Sequence, residues 1–296
     1  MVGPKSRVAL FKAVGVLMEA LPEQVDVTVA RSIGATIGHH SAARRANLSN
    51  NLAHVLSPVG ERPSEALLEE FVERGFRSYG RYWAEGAKLP ALSTSVITER
   101  FTIAEGLEHL LAAKERGKGI IIALPHIGSW EWGGAYLHTL DLTMTAVAEV
   151  LEPPELFSWF KEKREAMGIH VEALDDHAGT VLLSTLRGNG VVGLLCDRDI
   201  QGNGIDVEFF GECVAMPAGP ATLALRTGAT LVAASCYTGP GRDHFAVVMA
   251  PVEVERTKSL REDVRRVTQS VTRDLERLIR RAPEQWHVLE PRFVAS

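Results

Sequence analysis

One histidine in this chain stands where an imidazole can be put to use. Pro125-His126-Ile127-Gly128-Ser129-Trp130-Glu131 follows the apolar run Ile120-Ile121-Ile122-Ala123-Leu124, itself opened by the turn Gly117-Lys118-Gly119. A neutral imidazole accepts a proton from a hydroxyl. A carboxylate on its other ring nitrogen fixes the tautomer and stabilises the imidazolium that forms. Glu131 is one carboxylate for that part. The plain alternative is a capping histidine and a glutamate that complements a helix dipole. What favours chemistry is the place, a junction where a strand ends and a helix begins, because open α/β sheets bind ligands at such edges.

A second group, Cys196-Asp197-Arg198-Asp199, ends another apolar run and is followed by Gly202-Asn203-Gly204. Three charges beside a core are expensive unless they are paired or used. A local Asp–Arg–Asp ion-pair cluster is the structural explanation, and a site is the chemical one. The same sheet edge carries Glu149, just past the run 143–148. Arg164, within Lys163-Arg164-Glu165, can hold a phosphate bidentately, although a lone arginine on a charged helix is ordinarily only solvated. Met216-Pro217-Ala218-Gly219-Pro220-Ala221 shapes either a close backbone approach or a helix start.

These residues need elements to position them. The β-branched run 120–124, bounded by glycine and proline, predicts a buried strand that Pro125 must end. Ser129 then suits a helix N-cap, with Glu131 in the first turn. From residue 104 onward helices and strands alternate, with helices over 105–116, 130–140, 154–167 and 262–281. Strands are expected over 143–148, 169–173, 191–196, 231–236 and 245–250. The result is an α/β fold with helices on both faces of a mixed, mostly parallel sheet. The antiparallel part is the pair joined by the short Gly/Pro loop near 239–241. The N-terminal region is helical: 7–21, a second helix to about 37, 39–56, and 63–85 with Ser64 as cap. A loop over 90–95 divides this part from the sheet.

The composition excludes several classes. A net charge of −5 with no long basic run gives no support for nucleic-acid binding. Cys196, Cys213 and Cys236 are widely spaced, which fits free thiols in a reducing compartment and argues against structural zinc. No third ligand joins His126 and Glu131 at a metal spacing, so no metal is expected. There is no G-x-S-x-G and no Walker loop. The G-x-G-x-x-G string at 188–193 leads into a strand, whereas a dinucleotide fingerprint opens a helix. No stretch is long and apolar enough to span a membrane. Up to Asn50, Lys5, Arg7, Lys12, Arg31, Arg44 and Arg45 outnumber Glu19, Glu23 and Asp26, so these amphipathic helices can either dock on anionic lipid or pack on the core.

The block from Pro125 to Glu131 resembles the H-x-x-x-x-D/E motif of the lysophospholipid acyltransferases, in the branch containing the lipid A late acyltransferases. The likeness continues through Asp197-Arg198-Asp199, Phe209-Phe210-Gly211 and Pro217-Ala218-Gly219-Pro220 to Pro283-Glu284-Gln285-Trp286-His287, and covers most of the chain. Within that branch it is similar to the actinobacterial phosphatidylinositol mannoside acyltransferases. The resemblance implies one acyltransferase domain over 1–296, with a helical, membrane-facing part (1–95) and an α/β catalytic part (96–296). It implies transfer of a fatty acyl group, palmitoyl first, from acyl-CoA to a mannose hydroxyl of the glycolipid. No cofactor beyond that donor is implied. The place is peripheral, at the cytoplasmic face of the membrane against its anionic inner leaflet.

By the same resemblance His126 is the general base and Asp197 its acidic partner, so Glu131 and Asp197 compete for that role. Arg164 contacts acyl-CoA, with Asn203 and Arg226 as further donor contacts, and Arg164, Arg198 and Arg226 suit an acidic inositol phosphate. The chain departs from these relatives in four places. Glu131 stands where the family often has aspartate, Asp197 where they have glutamate, Arg226 where they have an acid, and the loop 200–204 matches poorly. Two rival functions are an acyltransferase for lipid A or a lysophospholipid, and a lipid-binding protein with a degenerate motif.

Overall fold

The β-branched runs become the centre of a seven-stranded sheet. The structure is a computed structural model that describes residues 22–57, 61–150, 152–257 and 259–293, together with Val16. Apart from Val16, the expected helix over 7–21, with Lys5, Arg7 and Lys12, lies outside the described residues.

The strands are β1 (Phe101–Glu105), β2 (Ile120–Leu124), β3 (Met144–Ala148), β4 (His170–Ala173), β5 (Val191–Leu195), β8 (Thr230–Thr238) and β9 (His244–Val248), in the order β1-β9-β8-β2-β5-β3-β4. Neighbours run parallel except β8 and β9, which pair antiparallel across the turn near Gly241 as expected. Strand β2 is buried throughout and its side chains alternate. Ile121 and Ala123 face one hydrophobic cluster, Ile120, Ile122 and Leu124 the other.

Helices cover both faces. On one lie α8 (Ala178–Arg187), α9 (Gly219–Thr227) and α10 (Leu260–Arg281), the last burying Val264, Val267, Val271, Leu275 and Leu278. On the other lie α5 (Leu107–Arg116) and α6 (Trp130–Thr139). Helix α7 (Pro154–Glu165) stops short of the expected 167.

Three regions differ from expectation. β1 forms an edge strand where none was expected, because its partner among the described residues, β9, is distant in sequence. The segment expected as a loop over 90–95 is a 3-10 turn (Leu89–Ala91) and then α4 (Thr94–Arg100), started by Ser93, whose Oγ accepts from Val96 N at 3.5 Å. β6 (Ile205–Phe209) and β7 (Glu212–Met216) make a separate hairpin. Its turn, Phe210-Gly211, takes φ of 51° and 83°, the left-handed pair that a two-residue hairpin turn requires.

The helical region is α1 (Glu23–His39), α2 (Ala42–Leu56) and α3 (Glu65–Lys88). Ser64 caps α3 by accepting from Leu67 N at 3.3 Å. α1 crosses α3 at Gly34 and Gly80, where a Cβ on Gly34 would lie 2.1 Å from Phe76 O and one on Gly80 2.2 Å from Ala30 O. Any larger residue at that crossing must push the helices apart. Asp26 of α1 pairs with Lys88 at 2.7 Å and with Arg242, next to the β8–β9 turn, at 2.5 Å.

Candidate active site

β2 and β5 are parallel neighbours with Leu124 opposite Leu195. The residues just beyond them therefore emerge side by side, and these include His126 and Asp197. Asp197 Oδ1 lies 2.5 Å from His126 Nδ1. Its Oδ2 accepts from the His126 backbone N at 2.9 Å and from Trp286 Nε1 at 2.7 Å. Asp197 is fully buried, while the His126 side chain is 24% exposed. Burial alone would raise the Asp197 pKa, yet the adjacent imidazole and the donors from His126 and Trp286 keep it below the usual carboxylate range. An ionised Asp197 needs a proton on Nδ1, which leaves Nε2 as the basic nitrogen.

The loop between β2 and α6 is bracketed from both sides. Gly128 adopts φ of 53°, and a Cβ there would sit 2.0 Å from Cys236 O, so glycine is required. Gly128 N donates to Gln285 O at 3.0 Å, Ser129 N to Cys236 O at 3.2 Å, and His287 N to His126 O at 2.8 Å. Ser129 occupies the N-cap, but its hydroxyl makes no capping bond and is buried with no partner among the described residues.

Glu131 is not the carboxylate on His126. Its Oε1 accepts from Tyr82 OH at 3.0 Å and from Arg164 NH2 at 3.1 Å, while its Oε2 is buried with no partner among the described residues. The first turn of α6 carries this side chain toward α3 and α7. Burial opposes the charge on Arg164, but Glu131 outweighs it and raises the Arg164 pKa. Burial and the same carboxylate also push the Tyr82 phenol up, so it remains a donor. The Arg164 guanidinium lies 4.9 Å from the centre of the Trp130 ring.

A cavity of about 850 Å³ opens beside the pair, lined by His126 and by Glu149, Arg164, Arg198, Asn203 and Arg226. Its walls are aliphatic where Val147, Val171, Leu182, Leu183, Leu194 and Leu223 contribute. The Asp197-Arg198-Asp199 run divides its labour, and among the described residues the three form no ion pair with one another. Asp197 faces His126, Arg198 pairs with Glu290 at 3.4 Å, and Asp199 ties the following loop through Gly202 N at 3.1 Å and Gly204 N at 2.7 Å. Among the described residues no three His, Cys, Asp or Glu side chains gather as a metal site.

Four neighbours carried no role in the sequence reading. Trp286 and His287 stood in a quoted block, but nothing indicated that the indole reaches Asp197. His287 is kept neutral, its pKa pushed down to about 3 by burial and by His126, and its Nε2 meets Ser78 Oγ at 2.9 Å. Tyr82 was one aromatic among several on a helix. Arg292 belonged to no motif, yet its Nε donates to Asp197 O at 2.7 Å.

A histidine past the end of a central strand, backed by a buried aspartate, thus opens on a large cavity lined by aliphatic side chains and arginines. The sequence profile of the bacterial lipid A biosynthesis acyltransferases matches residues 5–295, and the chain belongs to that family. It is 34% identical over 287 residues to a phosphatidylinositol mannoside acyltransferase of Mycolicibacterium smegmatis, covering 95% of this chain and 89% of that one. The likeness to the phosphatidylinositol mannoside acyltransferase of Mycobacterium tuberculosis is 36% over 253 residues, covering 84% and 77%. The crystal structure of a 1-acyl-sn-glycerophosphate acyltransferase from Thermotoga maritima also matches, at 13% identity and a TM-score of 0.37, over 87% of this chain and 98% of that one.

Proposed function

We propose that this acyltransferase moves a fatty acyl group, palmitoyl in the first instance, from acyl-CoA to a mannose hydroxyl of a phosphatidylinositol mannoside, with no further cofactor. The observation that carries the reading is His126 Nδ1 bonded to buried Asp197, with Nε2 left as the basic nitrogen of a residue lining the cavity. Nε2 takes the proton of the acceptor hydroxyl as its oxygen attacks the thioester carbonyl. The tetrahedral intermediate expels CoA as thiolate, which takes the proton back from the imidazolium. The first-turn amides of α6 supply positive charge for the oxyanion. Val147, Leu182, Leu194 and their neighbours suit the acyl chain. Arg164, Arg198 and Arg226, with Asn203 and Glu149, suit the phosphates and hydroxyls of donor and acceptor. The names of the mycobacterial relatives support the acceptor.

In this reading residues 1–296 act as one domain, peripheral at the cytoplasmic face of the membrane, with the helical part toward the anionic inner leaflet. The support is α1, where Val25, Val29, Ile33 and Ile37 form an exposed apolar stripe. No helix among the described residues is long and apolar enough to cross a membrane.

The test is release of free CoA by purified protein with palmitoyl-CoA and a panel of acceptors. Acylation of a phosphatidylinositol mannoside should outrun that of a lipid A precursor or lysophosphatidic acid. Equal or faster transfer to either competitor would remove the acceptor assignment. Donor binding with no CoA release from any acceptor would make the protein a lipid-binding one. Flotation with anionic vesicles tests the membrane assignment, which fails if the protein stays with the soluble fraction.

A further inference from the structure

The chain that follows α10 touches both members of the His126–Asp197 pair. His287 N donates to His126 O at 2.8 Å, Trp286 Nε1 to Asp197 Oδ2 at 2.7 Å, and Arg292 Nε to Asp197 O at 2.7 Å. Arg292 is braced in turn, its NH2 donating to Ala215 O at 2.8 Å. The segment hangs from α2 by a side chain with no exposure at all. Asn51 Nδ2 donates to Val288 O and Glu290 O, both at 2.9 Å, and its Oδ1 accepts from Arg292 N at 3.1 Å. Asn47 and Asn50 add bonds to Leu289 O and Phe293 O. Three polar side chains of one helix thus serve one irregular segment. A buried amide is costly unless its groups are bonded, so Asn51 belongs where those groups converge.

We propose that Trp286, Arg292 and Asn51 are positioning residues: the segment 286–292, hung from α2, sets the orientation of Asp197 and through it that of the His126 ring. The proposal rests on His126 and Asp197 being the catalytic pair. An aspartate can swing its carboxylate by rotating about two bonds. Trp286 on Oδ2 restrains that swing, and Arg292 on the main-chain carbonyl holds the backbone from which the side chain swings. Displacing a reacting group by about 1 Å costs on the order of 10²-fold in rate, so such bracing is worth having. The charged and titratable groups around Asp197 are His126, His287, Cys196, Arg198, Asp199 and Arg292. Of these, only His126 and Arg292 bond to it directly among the described residues.

The decisive variant replaces Trp286 by β-(3-benzothienyl)alanine, which keeps the bicyclic shape and exchanges the N–H for sulfur. Arg292→Lys, Asn51→Leu and His126→Ala are measured beside it. The analogue should lower kcat about tenfold, the worth of one hydrogen bond to a charged group. KM for palmitoyl-CoA should stay within about twofold, and the melting temperature close to wild type. The acid limb of the pH profile of kcat/KM should move to lower pH, because a carboxylate turned out of line with Nδ1 stabilises the imidazolium less. Arg292→Lys and Asn51→Leu should lower kcat in the same way, with some loss of stability. Nitrogen-15 NMR of the His126 ring reads the same change without turnover, as a smaller share of the Nδ1–H tautomer. An analogue with wild-type kcat, pH profile and tautomer would overturn the positioning role while an inactive His126→Ala leaves the pair standing. An active His126→Ala would remove both.

Discussion

Two buried carboxylates stand close to the cavity, and they are used in opposite ways. Asp197 has both oxygens bonded and its backbone carbonyl braced, so it holds a single geometry. Among the described residues Glu131 bonds through one oxygen, to Tyr82 and Arg164, and keeps the other buried and unpaired. An unsatisfied buried polar atom costs about 1–3 kcal/mol, so Glu131 carries a cost that Asp197 does not. The difference follows from what each partner needs. A base needs its ring fixed, whereas a guanidinium lining the cavity needs its charge balanced and some freedom to meet a ligand. The carboxylate bonded to His126 comes from just past a neighbouring strand, and the carboxylate near His126 in sequence pairs with a cation.

Breaking the base itself should give the largest effect. His126→Ala should cut acyl transfer by at least about 10³-fold with an unchanged circular dichroism spectrum, because the proton acceptor is gone. Measurable transfer above one per cent of wild type would end the assignment. Asp197→Asn comes next, with kcat lower by about 10³- to 10⁴-fold, since an amide leaves the ring in the wrong tautomer.

Glu131→Gln sharpens the contrast. It should raise KM for the acyl-CoA donor about tenfold through a looser Arg164, and change kcat by no more than about threefold. A fall in kcat as deep as that of Asp197→Asn would erase the distinction between the two carboxylates.

The smallest effect concerns stability and the histidine beside each region. His287 adjoins the Asp197 side. His244 stacks on Trp132, next in sequence to Glu131, at 4.2 Å. Burial, with nearby positive groups, depresses both pKa values from 6.5 to about 3. Between those values the unfolded chain binds a proton that the folded one refuses, so stability falls as pH drops through 6.5 toward 3. His244→Phe should flatten the slope of melting temperature against pH in that window. An unaltered slope would show that His244 titrates alike in both states.

Much of this was legible in the chain. The run 120–124, with glycine before it and proline after it, could only be a buried strand, and the stripe from Val264 to Leu278 could only be a helix facing a core. Of the residues that line the cavity, His126, Glu149, Arg164 and Arg198 were marked by type and place, and Asn203 and Arg226 as donor contacts only by the family resemblance. The hairpin β6–β7 was not legible, because it pairs with no strand of the main sheet and takes its support from α10. There Gln269 bonds both Glu208 N and Glu208 O, and Glu276 accepts from Phe210 N. Arg292 was invisible for a related reason: nothing near it in sequence needs an arginine.

What the sequence determined by itself was local: which segments extend or coil, and that an imidazole stands at the end of one strand and a carboxylate at the end of another. Local rules suffice for that, since strand, turn and cap preferences act over a few residues. The choice between Glu131 and Asp197 belonged to the tertiary structure. Asp197 reaches His126 across 71 residues because β5 lies beside β2 in register, and the order of strands depends on how the whole sheet buries its two faces. Glu131 is near in the chain, but α6 turns it toward Arg164 and away from the imidazole.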